Sequence, residues 1–155
     1  MVFPVKLSEI LEAIDFQAEE SKAYLNKKTG KIVTISEEEF SAAEDQEPLE
    51  TYPEWQRDNI RIAQEILGNE GNFLSLPTKY DIHEYQIMEG FCLSVRDKKI
   101  SETLWASIKG KGAFRRFKDH IQRLGIGDEW YKYREEAIKQ IAIDWCKSHR
   151  IKFEE

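Results

Sequence analysis

Five cations and two glycines fall within ten consecutive residues, Lys109-Gly110-Lys111-Gly112-Ala113-Phe114-Arg115-Arg116-Phe117-Lys118, and their spacing suits an anion site. A helix starting after Gly112 would present unpaired backbone N–H groups and the positive end of its dipole to the preceding loop. Lys109 and Lys111 add charge, and Gly110 and Gly112 let a phosphate approach the backbone. Arg115 or Arg116 offers a planar fork for bidentate hydrogen bonding. The glycine spacing is not that of a P-loop, which needs two glycines five apart followed by Lys and then Ser or Thr, so triphosphate hydrolysis finds no support. A structural reading competes. In it Gly110 ends one helix, Gly112 eases entry into the next, and Arg115, Arg116 and Arg123 coat a solvent face with Asp119 in reach of Arg115 and Arg123.

A second candidate lies on the last helical segment, where Trp130, Tyr131, Ala137, Ile138, Ile141 and Trp145 project onto one apolar arc with Arg134 near its middle. An unpaired cation there would cost several kcal/mol. Arg134 must therefore snorkel, find a carboxylate such as Asp119 or Asp144, or reach an anionic ligand in a cleft. In the cleft reading Arg134 and the loop around Gly112 converge, with Trp130 or Tyr131 stacking on a base. Phe114 and Phe117 are assigned to the core, because they share helical spacing with Ile121 and Leu124.

Catalytic and metal signals are weaker. His83-Glu84 opens like a zincin motif, but Ile87 stands where the second His is needed, and no G-x-S-x-G turn accompanies the serines. No catalytic residue, metal ligand or cofactor is therefore expected, and a non-catalytic role is preferred over an enzyme.

Composition sets the surroundings of these sites. The 155 residues carry a net charge of −6, with 41% hydrophobic and 34% charged residues and a mean hydropathy of −0.61. That profile suits one domain, residues 1–155, with residues 1–50 holding a helix, a hairpin and an acidic helix, and residues 51–155 a helical bundle. No apolar run approaches the roughly 20 residues of a spanning helix, and the start lacks signal-peptide regions, so a cytoplasmic protein without membrane contact is expected. Cys92 and Cys146 lack metal-knuckle spacing and read as buried free thiols.

Residues 1–80 hold eight Lys or Arg against sixteen Asp or Glu, whereas residues 81–155 hold fifteen against thirteen. Between Glu37 and Asp58 nine acids face only Arg57. The leading expectation is binding of a phosphate-bearing small molecule, a nucleotide or nucleotide-derived signal. The alternative is a protein-interaction module that uses the acidic segment 37–58 or the basic face 109–123 to hold a protein partner. Nucleic acid ranks below both, since the chain is net acidic and its cations form one short patch. Oligomeric state is not legible.

The elements that must position these residues follow from caps and periodicity. Ser8 is expected to cap a helix through Ile10, Leu11 and Ile14. Tyr24–Leu25 and Ile32–Ile35 flank a turn ending at Gly30, and Ser36 with Glu39 forms a capping box. A helix from about Glu54 stops at Gly68, and Phe73 to Leu76 suggest a third short strand. Asp81 with Glu84 is expected to cap a helix to about Val95, apolar nearly all round. Shorter helices follow from about Ser101 to Ile108 and from Gly112 or Ala113 to Gly125, then a last one capped by Asp128. The class is α+β, a small amino-terminal antiparallel hairpin or sheet with a predominantly helical carboxy-terminal bundle.

Leu76-Pro77, Asp81 to Tyr85, the run G-K-G-A-F-R-R-F-K-D from Gly110 to Asp119, Trp130 and the closing Ala142-Ile143-Asp144-Trp145 together resemble the bacterial uncharacterised protein family numbered zero-one-five-eight. The hairpin from Tyr24 to Ile35 is similar too. Lys111 stands between the glycines where that family more often has Arg, which keeps the charge and loses the planar fork. The resemblance implies a shared fold and a bacterial or phage setting, and it carries no activity.

Overall fold

The computed structural model describes residues 4–17, 20–78 and 81–155. In chain order the elements are β1 (Val5–Lys6), α1 (Leu7–Phe16), β2 (Ser21–Asn26), β3 (Ile32–Ser36), α2 (Glu37–Glu44), α3 (Glu54–Gly68), β4 (Phe73–Ser75), α4 (Glu84–Ser94), α5 (Lys98–Ser107), α6 (Ala113–Leu124), α7 (Gly127–Ser148) and β5 (Phe153–Glu154), with single 3-10 turns at Leu49–Thr51 and Glu70–Asn72. The class is α+β with a helical majority, as the sequence suggests. The chain divides into two compact units, Met1–Asp81 with Ile141–Glu155, and Ile82–Gln140.

The first unit is built on an antiparallel sheet in the order β3-β2-β4, with Tyr24 opposite both Val33 and Ser75. The hairpin turn closes because Gly30 takes φ +75°, while Asn26 Oδ1 accepts from Lys28 N at 2.9 Å. Ser36 and Glu39 form the expected capping box, Ser36 Oγ accepting from Glu39 N at 3.1 Å and Glu39 Oε1 from Ser36 N at 2.9 Å. Glu39 Oε2 also accepts from Asn59 Nδ2 at 3.1 Å, which ties α2 to α3. α3 therefore does not join the carboxy-terminal bundle to which residues 51 onward were assigned. Its Ile60, Ala63 and Ile66 bury against Ile35, Ala42, Ala43 and Phe73. Periodicity announces an apolar face without naming what covers it.

Three expected caps are displaced, and one of them, Asp128, lies inside the first turn of α7, which starts at Gly127. α1 starts at Leu7 with Lys6 at its cap position, not Ser8. The parallel pairing of Val5 with Phe153 and Lys6 with Glu154 keeps the chain extended up to that point. Asp81 does not cap α4, because its Oδ2 accepts from Thr78 N at 2.8 Å and from Thr78 Oγ1 at 3.1 Å.

The second unit is all helical. α5 starts three residues earlier than expected, capped by Asp97, whose Oδ1 accepts from Ile100 N at 3.1 Å. Its core is aromatic. Phe91 meets Phe117, Trp130 and Tyr133 edge-on at centroid distances of 6.1, 5.4 and 5.5 Å, and Phe117 meets Trp130 at 4.8 Å. A Cβ on Gly90 would run into the Tyr133 hydroxyl oxygen, so glycine is what lets that ring seat against α4. Only the middle of the expected α6 stripe is buried. Phe117 and Ile121 are covered, whereas Phe114 is 51% and Leu124 36% exposed. These two sit in the first and last turns of α6, at the ends of the stripe.

Cys92 in the second unit and Cys146 in the first are free and buried. Burial pushes each thiol from its ordinary value of 9.0 up to about 11. Among the described residues no helix is long and apolar enough to cross a membrane.

Candidate functional site

The glycines of the basic run do what their chemistry permits. Gly110 and Gly112 take φ +80° and +76°, conformations that L side chains rarely adopt, and carry the chain from the end of α5 to the start of α6 within a few residues. Arg116 folds back over this turn. Its Nε donates to Ser107 O at 2.9 Å and its Nη2 to Lys109 O at 2.5 Å, while Nη1 donates to Lys111 O. The guanidinium thus gives a donor to the last carbonyl of α5, the end at which the helix dipole favours a cation, and to two carbonyls of the turn that follows. Lys109 Nζ sits 3.8 Å from the centroid of the Trp105 ring. Lys111 and Arg115 are exposed. The turn is held together by its own arginine.

A different cluster surrounds Arg134. Four residues before it on α7 is Trp130 and three before it Tyr131, so helical spacing brings all three side chains to one side. With Glu84 and Met88 of α4 and Phe114, Phe117 and Lys118 of α6, they line a cleft of about 360 Å³ within the helical unit. Met88, Phe117 and Trp130 are buried and form its floor. Tyr131, 64% exposed, and Phe114 form walls open to solvent. Lys118 stands exposed at the rim.

Inside this cleft Arg134 and Glu84 form a forked ion pair. Arg134 Nε donates to Glu84 Oε1 and Oε2, both at 3.2 Å, and Nη2 to Oε1 at 2.6 Å. Each side chain keeps about a third of its surface, 34%, in solvent. The cation on the apolar arc therefore takes a carboxylate, but Glu84 rather than Asp119 or Asp144. Glu84 opens α4, where the helix dipole welcomes a negative charge, so the carboxylate is stabilised from two directions.

The expected site residues thus fall into two groups. Trp130, Tyr131 and Arg134 share the cleft, whereas Lys109, Gly110, Lys111, Gly112, Arg115 and Arg116 do not line it. Trp130 is 6% exposed and offers an edge of floor, which leaves stacking to Tyr131 and Phe114. Sequence reasoning gives Glu84, Met88 and Phe114 no binding role and counts Lys118 only among the cations of the basic run. One signal was available: Glu84 and Arg134 each put a charge beside apolar residues, and two such charges of opposite sign satisfy one another most simply by pairing.

No curated protein and no solved structure matches the chain. The sequence profile of the family described as Uncharacterised protein family (UPF0158) matches residues 2–155. A match running almost from end to end leaves one assignment, and the chain belongs to UPF0158.

Proposed function

We propose that this protein is a non-catalytic, cytoplasmic binding domain for a phosphate-bearing small ligand with a planar ring, a nucleotide or nucleotide-derived signal, held in the Arg134 cleft. One observation carries the reading: two solvent-exposed aromatic walls, Phe114 and Tyr131, stand beside two cations, Lys118 and Arg134, over an apolar floor. A planar ring gains apolar contact and stacking from such walls. Lys118 supplies a mobile point charge for phosphate, and Arg134 a planar fork whose orientation Glu84 sets. Glu84 is an acceptor positioned beside both, suited to a ribose hydroxyl or a ring amino group. The helical unit favours an anion overall, since Ile82–Gln140 holds twelve Lys or Arg against nine Asp or Glu, a net of +3. Buried free thiols suit a reducing compartment.

The basic turn is absent from this assignment because the Arg116 donors already have acceptors. Thermal unfolding against a panel of nucleotides, inorganic phosphate and pyrophosphate tests the proposal. A ligand at about 100 times its Kd adds about 2.7 kcal/mol, a clear rise in Tm. Tyr131→Ala and Lys118→Ala, both at exposed positions, are expected to remove that rise without lowering the Tm of the free protein. Arg116→Ala is expected to lower the free Tm and keep the rise. A panel without any response, or a rise abolished by Arg116→Ala and untouched by the cleft variants, overturns the assignment.

A further inference from the structure

The acidic unit carries a second binding feature, independent of the Arg134 cleft. Tyr24 of β2 and Phe40 of α2 meet edge-on at 5.6 Å and form a shared wall between two hollows. On one side of the pair is a hollow of about 300 Å³ rimmed by Glu20, Glu37 and Glu44. On the other side is one of about 350 Å³ walled by Ile66, Leu67 and Phe73. Helical spacing produces the first rim, because Glu37, Phe40 and Glu44 stand at positions i, i+3 and i+7 of one face of α2. Among the described residues lining that hollow, Lys22 is the one cation against the three carboxylates.

We infer that these adjoining hollows form a groove that docks a peptide segment mixing basic and apolar residues, with a Lys or Arg side chain laid along Tyr24 and Phe40 and an apolar side chain in the hollow walled by Leu67. The carboxylates at the rim receive the cationic head while the two rings cover its aliphatic stem and attract its charge. Leu67 is 40% exposed, an apolar side chain that such a partner would cover. Charge complementarity extends beyond the groove. Met1–Asp81 with Ile141–Glu155 holds eleven Lys or Arg against twenty Asp or Glu, a net of −9, which steers a basic partner in and repels phosphate backbones. The Tyr24 phenol, pushed further up from its ordinary value by burial, adds no charge to the three carboxylates and Lys22 that line the hollow.

Fluorescence anisotropy with the full-length chain and a short labelled peptide of alternating Leu and Lys tests this. The expected result is saturable binding that weakens with salt and about tenfold or more in the Glu37→Lys/Glu44→Lys variant. Leu67→Ser is expected to weaken it by a smaller factor, and Lys118→Ala to leave it unchanged. A peptide with Ser for Leu should bind more weakly, and one with Glu for Lys not at all. The Leu67→Ser and peptide arms stand even where the charge-reversed variant fails to fold. Equal binding of the Ser-for-Leu peptide, full displacement by spermidine at matched charge, or affinity unchanged in both groove variants overturns the inference.

Discussion

The turn around Arg116 and the cleft around Arg134 both centre on an arginine of the helical unit, and the two guanidinium groups do opposite jobs. Arg116 reaches acceptors five to nine residues back along the chain, all of them backbone carbonyls, and ties down the turn that the glycines make. Arg134 reaches a carboxylate 50 residues away, links α7 to α4 and leaves open space beside the pair. A dense run of cations announces charge. Whether that charge faces a ligand depends on what acceptors the fold has already placed within reach. Here the last carbonyl of α5 and two carbonyls of the glycine turn lie within reach of Arg116, so the part of the basic run from Lys109 to Arg116 is the more structural of the two regions.

The largest expected effect sharpens this contrast through the shared core. Phe117→Ala removes the ring that packs edge-on against Trp130 and should cost about 3–5 kcal/mol in urea unfolding. The nucleotide response should vanish with it, since the floor of the cleft is lost. Next comes Arg134→Met, which strands the half-buried Glu84 carboxylate at a cost of about 1–3 kcal/mol. Adding Glu84→Gln should recover part of that, and a double-mutant cycle with no coupling between the two positions would break the contrast as drawn. Arg116→Ala should cost about 1 kcal/mol, because water can reach part of the carbonyls it leaves. Gly112→Ala forces a side chain into a left-handed conformation at a cost of about 1–2 kcal/mol, and should add little to Arg116→Ala if the two hold the same turn.

The smallest effect is one of pH and touches both units. Each buried thiol has its folded value raised to about 11 from an ordinary 9.0. Between these values the unfolded chain loses protons that the folded chain keeps, so stability is fully present below pH 9 and falls as pH rises toward 11. Replacing both cysteines with Ala should flatten that part of the curve, as read by chemical denaturation at stepped pH.

What could be read from the residues alone was whatever is settled within a few positions. The hairpin closing at Gly30, the Ser36–Glu39 box and the stop at Gly125 each depend on one local conformational preference, and all appear where expected, whereas α5 ends at Ser107, before the stop expected at Gly110. Ser8 failed as a cap because a strand partner near the other end of the chain extends the backbone through Lys6. Phe114 failed as core because an apolar stripe is cut to the length of its cover, and nothing in the periodicity of α6 reports that length. The cleft was half legible. Arg134, Trp130 and Tyr131 share one helix and were found together, while Glu84 and Lys118 come from other helices and their approach is a product of tertiary packing.

The two sequestered sulfurs have one more use. Each compact unit holds a single thiol that burial keeps protonated and out of reach, so neither should react with an alkylating reagent until its own surroundings open. Mass-resolved labelling of Cys92 and Cys146 over time would then clock the opening of each half of the molecule separately. Equal rates would mean that both halves come apart in one event, and unequal rates that one half outlives the other.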